Sequence, residues 1–167
     1  MRKIYGHKLI IHRPVNEVFY YLGHTFENAS VWMDGCRRVV AQPGYEGYGL
    51  WLGKRYFRTM AMPFRLFNLK KPEECLVFEP NKRFVMTTDI LNLQPHWNYE
   101  MRAIDENKTE FHYSVTIGNK GIISRLFVQP FFLWTIKGRL EKSHSYMKSL
   151  LDDGLVLSKS DESASAT

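Results

Sequence analysis

Cysteine is scarce in this chain: Cys36 and Cys75 are the only two among 167 residues. They are too few for a disulfide scaffold and lack metal-ligand spacing, so a reducing compartment is the easier setting. Long apolar runs are missing too. The longest uncharged one, Leu126 to Ile136, is about half a membrane span and contains Gln129 and Pro130. Met1-Arg2-Lys3 is basic, but Leu9-Ile10-Ile11 is too short for a signal peptide and no small-residue cleavage site follows. These absences lead us to expect a soluble, cytoplasmic protein. No Gly-rich phosphate loop, HExxH, CxxC or nucleophile elbow is present. His96, His112 and His144 stand alone in sequence, where a lone histidine is more often a surface or hydrogen-bonded residue than a base or ligand. We therefore expect neither a metal nor a cofactor. No repeat and no second-domain boundary interrupts the chain, and its length fits one domain with a core and room for a cavity.

Lys and Arg number 23 against 17 Asp and Glu, a net charge of +6. The simplest account is a solvated surface, but the excess also suits an anionic ligand, an acidic partner or peripheral contact with an anionic membrane surface. The basic residues come in ones and twos, as in Arg37-Arg38, Lys54-Arg55, Lys70-Lys71 and Lys82-Arg83. With no basic arm or block, nucleic acid is not an expected partner. Residues 158–167 are Ser/Ala-rich without apolar periodicity and read as a disordered tail, which leaves 1–157 as the ordered domain.

What is present in strength is a long helical pattern between Asn119 and Gly154. Leu126, Leu133, Leu140 and Met147 recur at seven-residue intervals, with Ile122, Ile136 and Leu150 on the adjoining line. Ser124 is placed to cap its start and Gly154 to end it. Pro130 removes a backbone donor, so the pattern predicts a short first piece, a kink or break, and a main helix from about Phe131 to Asp152.

Ahead of that helix the pattern is mostly strand. Lys3 to His12 alternates, with Tyr5, His7, Leu9 and Ile11 on one face. Pro14 opens a short helix carrying Val15, Val18, Phe19 and Leu22, which Gly23 is expected to stop, and a helical turn near Phe26–Ser30 follows. Strands are then expected at Arg37–Gln42, at Tyr48 to about Met62 with bulges at Gly49 and Gly53, and at Glu74–Glu79, Arg83–Asp89, Trp97–Asp105 and Thr109–Ile117. Phe64 to Lys71 reads as a loop or short extension. The resulting fold class is α+β, a curved antiparallel sheet wrapped around a long C-terminal helix.

Several local patterns add a family to this order. Ile11-His12-Arg13-Pro14-Val15-Asn16-Glu17-Val18-Phe19, Trp32 after Phe26-Glu27-Asn28, the turn Phe78-Glu79-Pro80-Asn81-Lys82-Arg83, and Lys108-Thr109 before the last strand resemble the START-related superfamily. That superfamily includes polyketide cyclases, lipid-transfer proteins and the birch-pollen-allergen fold. The glycine that often precedes the threonine there is absent here. Over residues 3–152 the resemblance implies a helix-grip fold with a ligand cavity between sheet and terminal helix. It does not select a chemistry, because one fold hosts many.

Candidate site residues follow from the strand faces. Trp32, Trp51, Tyr56, Met60, Met86, Trp97, Tyr99, Tyr113 and Trp134, with Arg58, form the expected ligand-binding set; Met62 and Met101 extend the same apolar group. For any one of them plain core packing is the commoner role, but a concave sheet under one helix is hard to fill solid, and Tyr and Trp leave polar atoms needing partners. Tyr56, Arg58 and Met60 share a face. If it points inward, Arg58 is a buried cation seeking a protein carboxylate such as Glu79 or a ligand's carboxylate, enolate or phosphate; if outward, it is a solvated strand residue. Two functions remain open. One is binding of a hydrophobic small molecule, lipid- or polyketide-like. The other is a polyketide cyclase, aromatase or dehydratase, with Arg58 stabilising an enolate and Tyr56, Tyr99 or Tyr113 passing protons.

Overall fold

A computed structural model describes residues 1–61, 68–89, 94–118 and 129–154. Within α3, side chains are described at Pro130, Trp134 and from Ile136 onward. In chain order the elements are β1 (Arg2–Ile11), α1 (Val15–Phe19), α2 (Ala29–Trp32), β2 (Cys36–Ala41), β3 (Arg55–Ala61), β4 (Asn68–Glu79), β5 (Arg83–Thr88), β6 (Gln94–Asp105), β7 (Lys108–Gly118) and α3 (Gln129–Asp152). The seven strands form one antiparallel sheet in the order β1-β7-β6-β5-β4-β3-β2. Register shifts at Lys3/Tyr5, Cys36/Arg38, Cys75/Val77 and Ala103/Asp105 bend the strands, and α3 packs back onto β1. This is the helix-grip α+β architecture that the order of elements implies.

The alternation in β6 and β7 is as expected. Trp97, Tyr99 and Met101 are buried with Phe111, Tyr113, Val115 and Ile117, while Glu100, Arg102 and Glu110 lie on the other face. The helix stripe is shifted from its leucines toward smaller and polar groups. Ser143, His144, Met147 and Leu151 are fully buried, whereas Ile136, Leu140 and Leu150 are only partly covered. Pro130 stands in the first turn of α3, where its missing N–H has no intrahelical partner to lose. The expected first piece, with Ile122, Ser124 and Leu126, lies outside the described residues, as do Met62 and the tail.

Two ties hold α3 to the sheet. At its C-terminal end Arg13 Nε donates to the Leu151 carbonyl at 2.8 Å, and the His12 N–H donates to Asp152 at 2.8 Å. Gly154 closes the helix with φ +79°. Midway, the Asp34 N–H donates to Ser143 Oγ at 2.8 Å and Arg139 Nη1 to the Ala61 carbonyl at 2.7 Å. Met147→Asp is therefore expected to cost at least ~3 kcal/mol, since it buries an unpaired charge between helix and sheet. Ser145→Asp, on the exposed side, should change little. Urea unfolding of the two variants checks this. Lys148 is a poor control because it pairs with Asp152.

Several sequence-based boundaries move. Gly23 does not stop the first helix; the chain continues as a π turn over Tyr20–His24, and the Gly23 carbonyl accepts the Leu50 N–H at 3.0 Å. The long strand expected from Tyr48 begins only at Arg55. Residues 48–54 instead form a loop clamped by a buried lysine. Gly49 has φ +81°, and a Cβ there would meet the His24 carbonyl oxygen at 3.0 Å, so close chain approach forbids a side chain. β4, in turn, starts at Asn68 and runs through Pro72. Among the described residues, those of β4 before Glu73 pair with β3 only, so the proline sits where one side of the strand has no described ladder to break.

Candidate functional site

β3 and β4 are paired so that Arg58 faces Lys71 across the ladder, with Glu73 two residues further on the same face. All three side chains point into the grip and are buried. Arg58 Nη2 lies 2.5 Å from Glu73 Oε2, and Lys71 Nζ lies 3.0 Å from Glu73 Oε1. Arg58 is thus inward, and its carboxylate is Glu73; the alternative, Glu79, is bonded to Arg83 at the sheet's outer turn. Two cations share one carboxylate, which leaves one positive charge in excess inside the protein. The Arg58 guanidinium sits 5.3 Å from the Phe26 ring and Lys71 Nζ 5.2 Å from the Trp97 ring, so aromatic faces cover part of that charge. Arg58 Nη1 reaches the Met33 sulfur at 2.7 Å, and Arg58 Nε has no hydrogen-bond partner among the described residues.

The electrostatics follow from burial. Lys71 is pulled below the ordinary lysine value by desolvation, and by Arg58 beside it, against the opposing pull of Glu73. Burial alone would lower Arg58 as well, but the Glu73 carboxylate outweighs it and raises Arg58 above the ordinary arginine value. Desolvation pushes the Tyr99 phenol up to about 12 despite Arg58, and Tyr113 well above its usual value. Both phenols are therefore protonated donors near a guanidinium.

From there the polar groups continue across the sheet. Tyr99 and Tyr113 meet edge to face at 5.0 Å, and Tyr113 packs on His144 of α3 at 4.3 Å. His144 in turn lies parallel to His7 of β1 at 6.0 Å. Burial, then His7, lowers His144 to about 3, so it is neutral.

On the outside, a cleft of about 780 Å³ opens between α2 and its following turn, the end of β3, and α3. Trp32, Met33 and Cys36 line it along with Arg37, Arg139 and Lys142. Met33 is shared between this cleft and the charged cluster, lining the one and meeting Arg58 in the other. A further group, Glu27 with Lys54 and Tyr56, closes the loop over 47–54. Lys54 Nζ lies 3.0 Å from Glu27 and donates to the carbonyls of Gly49, at 2.6 Å, and Gly47.

The candidate residues divide accordingly. Arg58, Trp97, Tyr99 and Tyr113 gather on the inner face, with Met86 fully buried between Cys75 and Trp97 and Met60 half-buried beside Cys36. Trp32 belongs to the cleft. Tyr56 points inward, but its hydroxyl is bound to Glu27 at 2.9 Å and the Gly49 carbonyl at 2.7 Å. Trp51 lies under the Lys54 ammonium at 4.0 Å, and Trp134 is 76% exposed on α3. Sequence reasoning did not single out Lys71, Glu73, Met33 or Cys36. The signal for the first two is the face that Lys71 and Glu73 share, which the pattern hides by reading Phe64–Lys71 as a loop or short extension and starting the strand at Glu74.

No family model and no curated protein matches the sequence. Solved structures do match in fold. The Zhui aromatase/cyclase from Streptomyces sp. R1128 superposes with a TM-score of 0.68 at 7% identity, covering 90% of this chain and 93% of that one. A protein from Mesorhizobium loti gives 0.66 at 14% identity, covering 92% and 98%. Ara h 8.0201 gives 0.61 at 12% identity, covering 87% and 97%. The likeness is one of fold: the chain shares with these structures a curved antiparallel sheet and a C-terminal helix, the helix-grip α+β architecture.

Proposed function

We propose that this protein binds an amphipathic small molecule, lipid- or polyketide-like, with an acidic head group at Arg58 and an apolar body along Trp97, Tyr99, Tyr113 and Met86. The observation that carries this reading is the buried imbalance of charge, two cations to one carboxylate, inside an aromatic wall. A buried cation without full compensation is costly, and an anionic ligand group would supply what Glu73 alone does not. The outer cleft has the size of a small-molecule site, roughly 300–1,000 Å³, and Met33, which lines it, also contacts Arg58. Methionine is a flexible side chain suited to a movable wall. The two buried free thiols fit a reducing, cytoplasmic setting.

A second reading rests on the phenols beside Arg58. Held protonated, Tyr99 and Tyr113 can donate hydrogen bonds to a developing enolate that Arg58 neutralises, which is the arrangement a cyclase or dehydratase needs. The Zhui likeness in fold is compatible with this reading.

Titration with a long-chain fatty acid and with the alcohol of the same length tests the first reading. The acid should bind more tightly, and Arg58→Met should reduce its affinity by roughly tenfold to a hundredfold while leaving the alcohol unaffected. Equal binding of acid and alcohol by the native protein would refute an anion subsite. Conversion of a supplied poly-β-keto substrate, lost in Arg58→Met with binding retained, would establish the second reading.

A further inference from the structure

On the far side of Tyr113 from Arg58 lies a polar cluster that the head-group site does not use. Tyr5 and His7 come from β1 and His144 from α3, and all three are grouped around Tyr113. Tyr5 meets it at 6.1 Å, His144 packs on it at 4.3 Å, and His7 is its cross-strand partner. The Tyr5 hydroxyl, His7 Nε2 and His144 Nδ1 are each buried, and none has a hydrogen-bond partner among the described residues. His144 is only 1% exposed, so water outside the protein does not satisfy it. Three orphaned polar atoms in one neighbourhood are uncommon, because native proteins leave few such groups and each is costly.

We propose that Tyr5, His7 and His144 form an uncharged polar subsite that receives a hydroxyl or carbonyl group on the body of the ligand whose acidic head lies at Arg58. The inference rests on the binding reading above and adds to it the chemistry of the ligand's other end. A neutral imidazole carries one donor and one acceptor, and a phenol offers both, so the set can donate and accept together. An anion is not suited to it. The His144 ring is held neutral, and the carboxylate that bears on Tyr5 from α3 is Glu141, which would repel a second negative charge. The two subsites are joined by Tyr99 and Tyr113, ring steps of 5.0 and 4.3 Å, so the polar group belongs part-way along the ligand, separated from the head by apolar carbons.

The test uses saturated fatty acids bearing one hydroxyl at successive carbons, with the unsubstituted acid as reference. One position should bind roughly fivefold more tightly than the reference, about a hydrogen bond's gain. Tyr5→Phe, His7→Phe and His144→Phe should each reduce that gain while leaving affinity for the unsubstituted acid unchanged. Tyr5→Phe removes a single oxygen, so it remains informative if a histidine variant folds poorly. Binding of all the acids with no positional preference overturns the subsite alone, as does a preference that survives all three substitutions. Failure of the unsubstituted acid to bind overturns the head-group reading first, and the subsite with it.

Discussion

Glu73→Gln is expected to lower the stability of the protein by ~3–5 kcal/mol, the usual penalty for removing one member of a buried ionic group. The carboxylate is the only acid within ion-pair distance of Arg58 or Lys71 among the described residues, and its loss would leave two buried cations facing each other. The pH dependence has a defined sign. Folded Lys71 already releases its proton more readily than a free lysine, through burial and then Arg58. Between that lowered pKa and the ordinary lysine value, the unfolded chain binds more protons than the folded one, so stability rises with pH across this window. Without Glu73 the window extends to lower pH, and the variant should recover part of its lost stability on alkalinisation. Lys71→Met placed on Glu73→Gln should restore much of it at neutral pH. Urea unfolding at several pH values measures all three effects. A variant as stable as the parent would mean that the cluster is solvated and not a buried triad.

The second large effect is acid destabilisation through His144. Its folded pKa is near 3 against 6.5 in the unfolded chain, so as pH falls below 6.5 the unfolded state takes up a proton that the folded state refuses. Stability is lost progressively down to the folded value. By pH 4 this one residue should account for ~3 kcal/mol of the loss. Carboxylates also contribute to acid unfolding, so the informative quantity is the difference between the parent and His144→Phe. That difference should widen in favour of the variant between pH 6.5 and 4. Parallel pH profiles would show that the imidazole is protonated in the fold.

Much of this architecture could be read from alternation and punctuation. The inward faces of β6 and β7, the turn at Pro80-Asn81-Lys82 and the C-terminal stop at Gly154 all rest on local rules: period-two apolarity, proline and a positive-φ glycine. What resisted reading was non-local. Arg58 has no sequence neighbour that reveals its partner, because Glu73 is brought to it by strand pairing. Lys54 looks like a surface residue, yet folding wraps the glycine-rich loop around its ammonium. His144 was legible in principle. It lies three residues before Met147 and four after Leu140, on the buried stripe, but a polar residue on an apolar face is easily assigned to solvent. Tyr56 shows the converse: its inward face followed from alternation, while the hydrogen bonds that occupy its hydroxyl come from Glu27 and a loop carbonyl.

The position of β1 at the edge of the sheet bears on how the chain folds as it is made. Its hydrogen-bonding partner is β7, and the Lys8–Glu110 pair across them is separated by 102 positions. The strand emerges from the ribosome early and must wait, unpaired, until almost the whole sheet has been synthesised. Closing so large a loop is slow relative to forming the β4-β5 and β6-β7 hairpins, which need only their own turns. The His12 and Arg13 contacts that fasten the end of α3 depend on that same closure. Docking of the helix over its polar row is therefore expected to follow closure of β1 on β7, and a chain interrupted before it would present the inner aromatic face to whatever chaperone or membrane it meets.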